Sequence, residues 1–297
     1  MNPIPPSPRS ALAASFNSVA AQYAAARPGY PPELFATVEE FAGRPLDGAE
    51  VLDVGAGTGI ATRLPAERGA RVVAVEPGAG MAAEPRSALP RIPFVRADGD
   101  ALPFADGIAD IVTYAQAWHW TDPARSVPEA IRVLRPGGAL ALWWNIPDTD
   151  IPWLARQEAR LAERCPAYRP PGFPATAAGL LAPFGLRPRS VRIRWSRTIA
   201  GENRLPALAS HSYLAVMGAE ADVVLRAERA ELLALFPDGV LVEPFVADVT
   251  VAVTGGGHRG GHGGGHRGGY GGGHRGGYGG GHGLTRSTSV TKPRVCR

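Results

Sequence analysis

The sequence predicts an α/β fold: a doubly wound, mostly parallel sheet with helices on both faces. Three observations predict it. Apolar runs of strand length alternate with helix-like segments over residues 11–253, the order that builds a parallel sheet with right-handed crossovers. The first run, Val51–Val54, passes directly into glycines, as a buried parallel strand entering a helix should. Two later segments, near 191–198 and 245–253, instead repeat with period two, the signature of a strand whose two faces differ.

In chain order, residues 58–68 are the helix after the first strand. Arg71–Val75 is the second strand, and 79–88 a short helix. Phe94–Arg96 is the third strand. Ile108–Tyr114 is the fourth, with 123–134 as its helix. Arg135-Pro136-Gly137-Gly138 is a turn, and Ala139–Trp144 is the fifth strand. Residues 148–184 read as mainly helical, broken by a Pro-rich stretch at 166–174. In the sixth strand Val191, Ile193 and Trp195 alternate with Arg192, Arg194 and Ser196. Residues 203–235 hold two helices. Phe245, Ala247, Val249 and Val251 then share one face of a seventh strand, 245–253. Pro65 and Pro85 fall inside predicted helices. An interior proline removes a hydrogen bond and clashes one turn back, costing about 3 kcal/mol. Those helices are expected to be short or kinked, or the chain to be less stable.

The composition, 45% apolar and 20% charged, belongs to a globular body. No apolar run approaches the length of a membrane span. The start, MNPIPPSPRS, shows no apolar leader. Two cysteines, Cys165 and Cys296, cannot make a disulfide framework or a structural zinc site. These features predict a cytoplasmic protein without a metal centre. Residues 1–10 are expected to be disordered, 11–253 to be one domain, and 254–297 to be a disordered Gly/His/Arg-rich tail. The net charge of +4 comes from that tail. Seven of the 31 basic residues and none of the 27 acidic ones lie in 254–297. The body is left slightly acidic, so it has no basic excess to suggest a nucleic-acid partner.

Ligands of open α/β sheets bind beyond the carboxyl ends of the strands. The first strand ends Asp53-Val54-Gly55-Ala56-Gly57-Thr58-Gly59. Glycines there permit positive φ and let a ligand approach the backbone. The spacing is G-x-G-x-G. A dinucleotide fingerprint needs a further glycine at position 60 or 62, and these are Ile60 and Thr62. Glu76, ending the second strand, is placed to accept both hydroxyls of a ribose. Asp98, after the third strand, is placed to accept from an exocyclic amine such as that of adenine, with Asp100 as its rival.

On these residues the chain resembles the class I S-adenosylmethionine-dependent methyltransferases of the type-11 branch. The matching pieces are VLDVGAGTG (51–59), VVAVEP (72–77), FVRADGDALPF (94–104), IADIVTYAQAWHW (108–120) and RVLRPGG (132–138). Segment 16–35, FNSVAAQYAAARPGYPPELF, resembles the trans-aconitate-methyltransferase-like subgroup. The resemblance implies a Rossmann-like, seven-stranded fold and an enzyme that uses S-adenosylmethionine. It implies that Gly55, Ala56 and Gly57 line the methionine part of the cofactor, with Asp53 beneath. Glu76 would hold the ribose, Asp98 and Gly99 the adenine, and Ala115 and Gln116 the methionine moiety. Tyr23 and Arg27 would belong to an N-terminal lid, and helical lid segments are expected near 11–40, 148–184 and 200–240.

Methyl transfer depends on positioning more than on an elaborate catalytic group. His119, within Trp118-His119-Trp120, is the candidate general base; the alternative is a structural hydrogen-bonding role. His211 reads as structural. The expected acceptor is a small molecule. Two rival readings are a nucleotide-dependent oxidoreductase on the same sheet, and a non-catalytic RNA-binding protein acting through the tail. The tail repeats GGGHRGGH/Y with period eight from residue 255, and such segments can bind RNA through charge and stacking.

Overall fold

The computed structural model describes residues 27–81, 89–168 and 173–255. Tyr23, Pro85, the first ten residues and almost all of the tail lie outside them. The described residues all fall in the first of two compact units, Met1–Gly257; the second is His258–Arg297.

Seven strands form one sheet in the order β3-β2-β1-β4-β5-β7-β6. They are β1 (Glu50–Val54), β2 (Arg71–Val75), β3 (Phe94–Val95), β4 (Ala109–Ala115), β5 (Leu134–Pro147), β6 (Arg189–Ala200) and β7 (Val240–Val253). Pairs β1–β2, β2–β3, β1–β4 and β4–β5 are parallel; β7 runs antiparallel to both β5 and β6. The chain winds outward from β1 to β3, then returns to β4 and winds the other way. The switch point therefore lies between the carboxyl ends of β1 and β4.

Two apolar layers cover the sheet. On one face Leu52, Val112, Leu140 and Leu142 pack with Val127, Ala130 and Val133 of the helix Pro123–Val133, and with Ala177 and Leu181 of the helix Phe173–Leu181. On the other, Val51, Ile111, Ala141, Trp143 and Val249 pack with Leu34, Phe35 and Val38 of the helix Pro32–Ala42. The inner strands are buried on both faces, as a doubly wound sheet requires.

Several elements differ from expectation for local reasons. The segment 135–138 is an excursion within β5: the register passes from Ala109↔Leu134 directly to Ile111↔Ala139. Asp110 anchors it, accepting from Arg135 at 2.7 Å, from the Glu50 amide at 2.9 Å, and from Arg44. The helix after β1 is only Ile60–Glu67, with buried Pro65 in its last turn, two residues before the end. Residues 203–235 hold three helices, Arg204–Ala209, Ser212–Ala215 and Glu220–Leu235, rather than two. Residues 32–40, expected in a lid, belong to a core helix because Leu34, Phe35 and Val38 recur on one face and are buried.

The connection between β6 and β7 fixes where the remaining helices stand. β6 runs parallel to β5 and β7 runs back, so Gly201–Gly239 begins and ends at the carboxyl edge of the sheet. The Gly201 amide closes this connection on the Gly239 carbonyl at 2.8 Å. With the helix Pro152–Arg164 it forms a separate small core of Leu161, Cys165, Leu208, Leu214 and Val224.

Candidate active site

The glycine loop after β1 is built for close approach. Gly55, Gly57 and Gly59 have φ of 72°, 56° and 79°. The Gly55 and Ala56 amides both donate to the Val75 carbonyl, at 2.8 and 3.0 Å, which ties the loop to the end of β2. A Cβ on Gly55 would lie 2.4 Å from the Cβ of Ala117. The turn after β1 and the turn after β4 therefore meet where only a bare backbone fits.

Asp53 sits under the loop, 1% exposed. It accepts from Thr62 Oγ1 at 2.6 Å and from Thr113 Oγ1 at 2.8 Å. Burial pushes its carboxyl up to about 6, against the opposing effect of those two hydroxyls. Its role is to hold the loop and β4 together from beneath. Sequence reasoning gave no account of Thr62 and Thr113, which supply these two hydrogen bonds.

Glu76 is 8% exposed. Its carboxylate accepts from the Gly57 amide at 2.9 Å and from the Gly78 amide at 2.8 Å. Burial raises its pKa, opposed by the two amides. Each carboxylate oxygen has a second acceptor site, so a pre-oriented group faces the mouth of the loop.

The turn after β3 separates the two aspartates. Asp100 is committed to the scaffold, because both its oxygens accept from the Asp122 amide, at 3.0 and 3.1 Å. Asp122 in turn caps the helix Pro123–Val133 through the Ala124 amide. Asp98 is exposed, and its carboxylate accepts a local bond from the Asp100 amide at 3.0 Å. Gly99 is wedged between them: a Cβ there would lie 3.0 Å from Thr121 Cγ2 and 3.1 Å from Val54 Cγ1.

Beyond β4, Ala115 ends the strand and Gln116 takes φ of 56°, the single positive-φ non-glycine among the described residues. Such a conformation is held by its surroundings and is characteristic of functional turns. Here the Gln116 amide donates to the Trp143 carbonyl at 2.9 Å, and Nε2 donates to the Asn145 carbonyl at 3.0 Å. Asn145 is a hub that sequence reasoning missed. Its Nδ2 donates to the Gly29 carbonyl at 2.8 Å, and its Oδ1 accepts from Trp195 at 3.0 Å. The available signal was a lone amide side chain in the otherwise apolar end of β5.

Two more of the expected residues have defined partners. The Trp144 indole nitrogen lies 3.1 Å from His119 Nδ1. An indole nitrogen only donates, so the neutral His119 ring carries its proton on Nε2. This contact is of the structural hydrogen-bonding kind that is the alternative to a general-base role for His119. Arg27, expected in an N-terminal lid, reaches the helical connection, with Nη2 donating to the Ser210 carbonyl at 3.3 Å.

The family described as a methyltransferase domain matches residues 52–142, which include the loop, Glu76, Asp98 and Gln116. Uncharacterized methyltransferases of Mycobacterium tuberculosis and Mycobacterium bovis are each 36% identical over 227 residues, covering 76% of this chain and 88% of theirs. A solved structure from Anaeromyxobacter dehalogenans, named for a type II methyltransferase, is 27% identical with a TM-score of 0.58, covering 77% of this chain and 97% of that one. With the sheet order and the loop above, these likenesses establish that the chain belongs to the class I S-adenosylmethionine-dependent methyltransferases.

Proposed function

We propose that this methyltransferase acts on a small-molecule acceptor, with S-adenosylmethionine bound along the carboxyl ends of β3, β2, β1 and β4. The observation that carries the placement is Glu76. It is a buried carboxylate held by the Gly57 and Gly78 amides, beside a glycine loop whose positive φ values shape the turn after β1. When bound, the cofactor supplies a methyl group on a sulfonium cation, which a lone pair of the acceptor displaces. The residues present suit such a ligand. Residues 53–59 carry no cation, as expected for a cofactor without phosphate. Glu76 would accept from the ribose hydroxyls, and Asp98 and Gly99 would border the adenine. Gly55, Ala56, Gly57, Ala115 and Gln116 would line the methionine part, over Asp53. Tyr23 lies outside the described residues.

Support for a small acceptor comes from the connection Gly201–Gly239, which begins and ends at the carboxyl edge and carries its own small core there. The slightly acidic body supports the same reading. Segment 16–35 favours the trans-aconitate-methyltransferase-like subgroup; of it, 27–35 are described. His119, with Trp144 behind it and Trp120 beside it at 4.8 Å between ring centroids, would border the acceptor side as a hydrogen-bond donor. Calorimetry with S-adenosylhomocysteine should give micromolar binding, about −8 kcal/mol. A screen of small acceptors with methyl-labelled cofactor should then give a labelled product. Binding of NAD without binding of S-adenosylhomocysteine would sink the placement.

A further inference from the structure

Two segments meet at the carboxyl edge of the sheet. Residues 27–31 reach the end of β5, where Asn145 Nδ2 donates to the Gly29 carbonyl, and Arg27 meets the connection Gly201–Gly239 at Ser210 and His211. Their meeting point is His211, which the reading above leaves unused. Its Nδ1 lies 3.0 Å from the Leu208 carbonyl. A carbonyl only accepts, so the neutral ring carries its proton on Nδ1 and a lone pair on Nε2. That nitrogen is 3.4 Å from Arg27 Nη1. The arrangement is opposite to that of His119, whose Nδ1 accepts.

The site is braced on both sides. Burial and the cations of Arg27 and Arg204 hold the His211 pKa well below the usual histidine range, so the ring stays neutral and keeps its acceptor at neutral pH. The Tyr213 ring lies against the imidazole at 5.2 Å, and the edge of Tyr168 meets Tyr213 at 5.3 Å. Tyr168 is fixed in turn by donating to Glu158 at 2.7 Å. At the other end, Gly29 is pinned by Asn145 at 2.8 Å, and Tyr30 meets Trp143 edge-on at 6.0 Å. Contacts thus run from His211 through Arg27, Gly29 and Asn145 to Gln116, the residue held at positive φ.

We propose that His211 is a positioning residue for the methyl-transfer site: through Nε2 it holds the Arg27 guanidinium, and so residues 27–31, at the carboxyl end of β5. Its consequence for the cofactor rests on the placement proposed above; the contact with Arg27 does not. The test compares His211→Leu, which removes the acceptor, with His211→Gln, whose amide oxygen can replace it. In the ligand-free chain, hydrogen exchange at the Gly29 and Tyr30 amides should quicken about tenfold in the Leu variant. The Kd for S-adenosylhomocysteine should rise about fivefold. His211→Gln should restore both to within about twofold of the unmodified chain. Arg27→Met should match His211→Leu, and the double variant should be no worse than either. Should His211→Leu fold poorly, Arg27→Met carries the exchange measurement. Unchanged exchange, a Gln variant as impaired as the Leu one, or additive effects in the double variant would overturn the proposal. Loss of exchange protection in a chain that never binds S-adenosylhomocysteine would overturn the cofactor placement and leave the His211–Arg27 latch standing.

Discussion

Between Val51 and Asp100 the candidate site is made of residues that sit on the turn after their own strand. Gly55 follows β1, Glu76 follows β2 and Asp98 follows β3. On the other side, between β4, β5 and the connection Gly201–Gly239, the key groups come from segments far apart in sequence. Gly29 and Asn145 are separated by 116 residues, and Arg27 and His211 by 184. On the first side each key residue stands at the end of its own strand, although its partners can be distant: Glu76 accepts from Gly57 19 residues away and Asp53 from Thr113 60 residues away. The second is assembled by tertiary packing, so it can be remodelled without disturbing the sheet. In the placement proposed above, the first side is the cofactor half and the second the acceptor half.

The largest expected effect tests the packing of the first side. Gly55→Ala would place a methyl 2.4 Å from Ala117 Cβ at a φ of 72°. The strain and the clash should together cost about 2–4 kcal/mol of stability and weaken S-adenosylhomocysteine about 100-fold. Gly29 offers the matching control on the second side, where an added Cβ meets nothing within 4 Å. Gly29→Ala should change stability by less than about 0.5 kcal/mol. Thermal melts and calorimetry on both variants check the contrast, and equal sensitivity of the two would break it.

Glu76→Ala comes next. It removes a buried acceptor for the Gly57 and Gly78 amides and, in the proposed placement, for both ribose hydroxyls. Hydrogen bonds to a charged group contribute about 1.5–3 kcal/mol each, so Kd should rise at least about tenfold in a folded protein. An unchanged Kd with an unchanged melting curve would move the ribose elsewhere.

The asymmetry between the two sides also governs what the sequence could reveal. The period-two alternation of Val191, Ile193 and Trp195 located β6, and the run Val51–Val54 with its glycines located both β1 and the switch point. Asp53, Glu76 and Asp98 were legible because each stands at a strand end beside its own turn. Asn145 was not, because nothing near residue 145 signals a partner at residue 29. The hydrogen-bonding state of His119 was equally hidden, since it is set by Trp144 on the neighbouring strand. The resemblance placed a lid near residues 11–40, whereas Leu34, Phe35 and Val38 put the helix Pro32–Ala42 in the core. The turn expected at 135–138 is instead an irregularity inside a continuous β5, where Asp110 pairs with Arg135 and Arg44.

A pH measurement examines the support under the loop. Asp53 has its carboxyl pushed up to about 6 by burial, from about 3.9 in an unfolded chain. The fold therefore favours the protonated form. The stability this contributes is fully present below about pH 4 and is lost as pH rises through about 6. Asp53→Asn should lack that dependence while keeping one acceptor for the threonines. The stability difference, unmodified chain minus variant, should fall by about 1–3 kcal/mol between pH 4 and pH 7. Denaturant titrations across that range check it, and a flat difference would mean that the carboxyl is better solvated than its burial implies.

The smallest effects separate Asp98 from Asp100, two carboxylates two residues apart with different partners. Asp100 spends both oxygens on the Asp122 amide, and Asp122 caps the helix Pro123–Val133. Asp100→Ala should therefore cost about 1 kcal/mol of stability, in the range of a lost helix cap, and leave cofactor affinity nearly as it was. Asp98 is exposed and faces no such demand. Asp98→Ala should leave stability within about 0.5 kcal/mol and weaken S-adenosylhomocysteine by about 1 kcal/mol, the net contribution of one hydrogen bond. An analogue whose adenine lacks the exocyclic amine sharpens the comparison. It should bind the unmodified chain and Asp98→Ala equally weakly, because the bond is already missing on one side or the other. If Asp100→Ala instead erased the discrimination between adenine and the analogue, the adenine would be read by the scaffold carboxylate. The strand-end placement inferred for this side of the site would then be off by two residues.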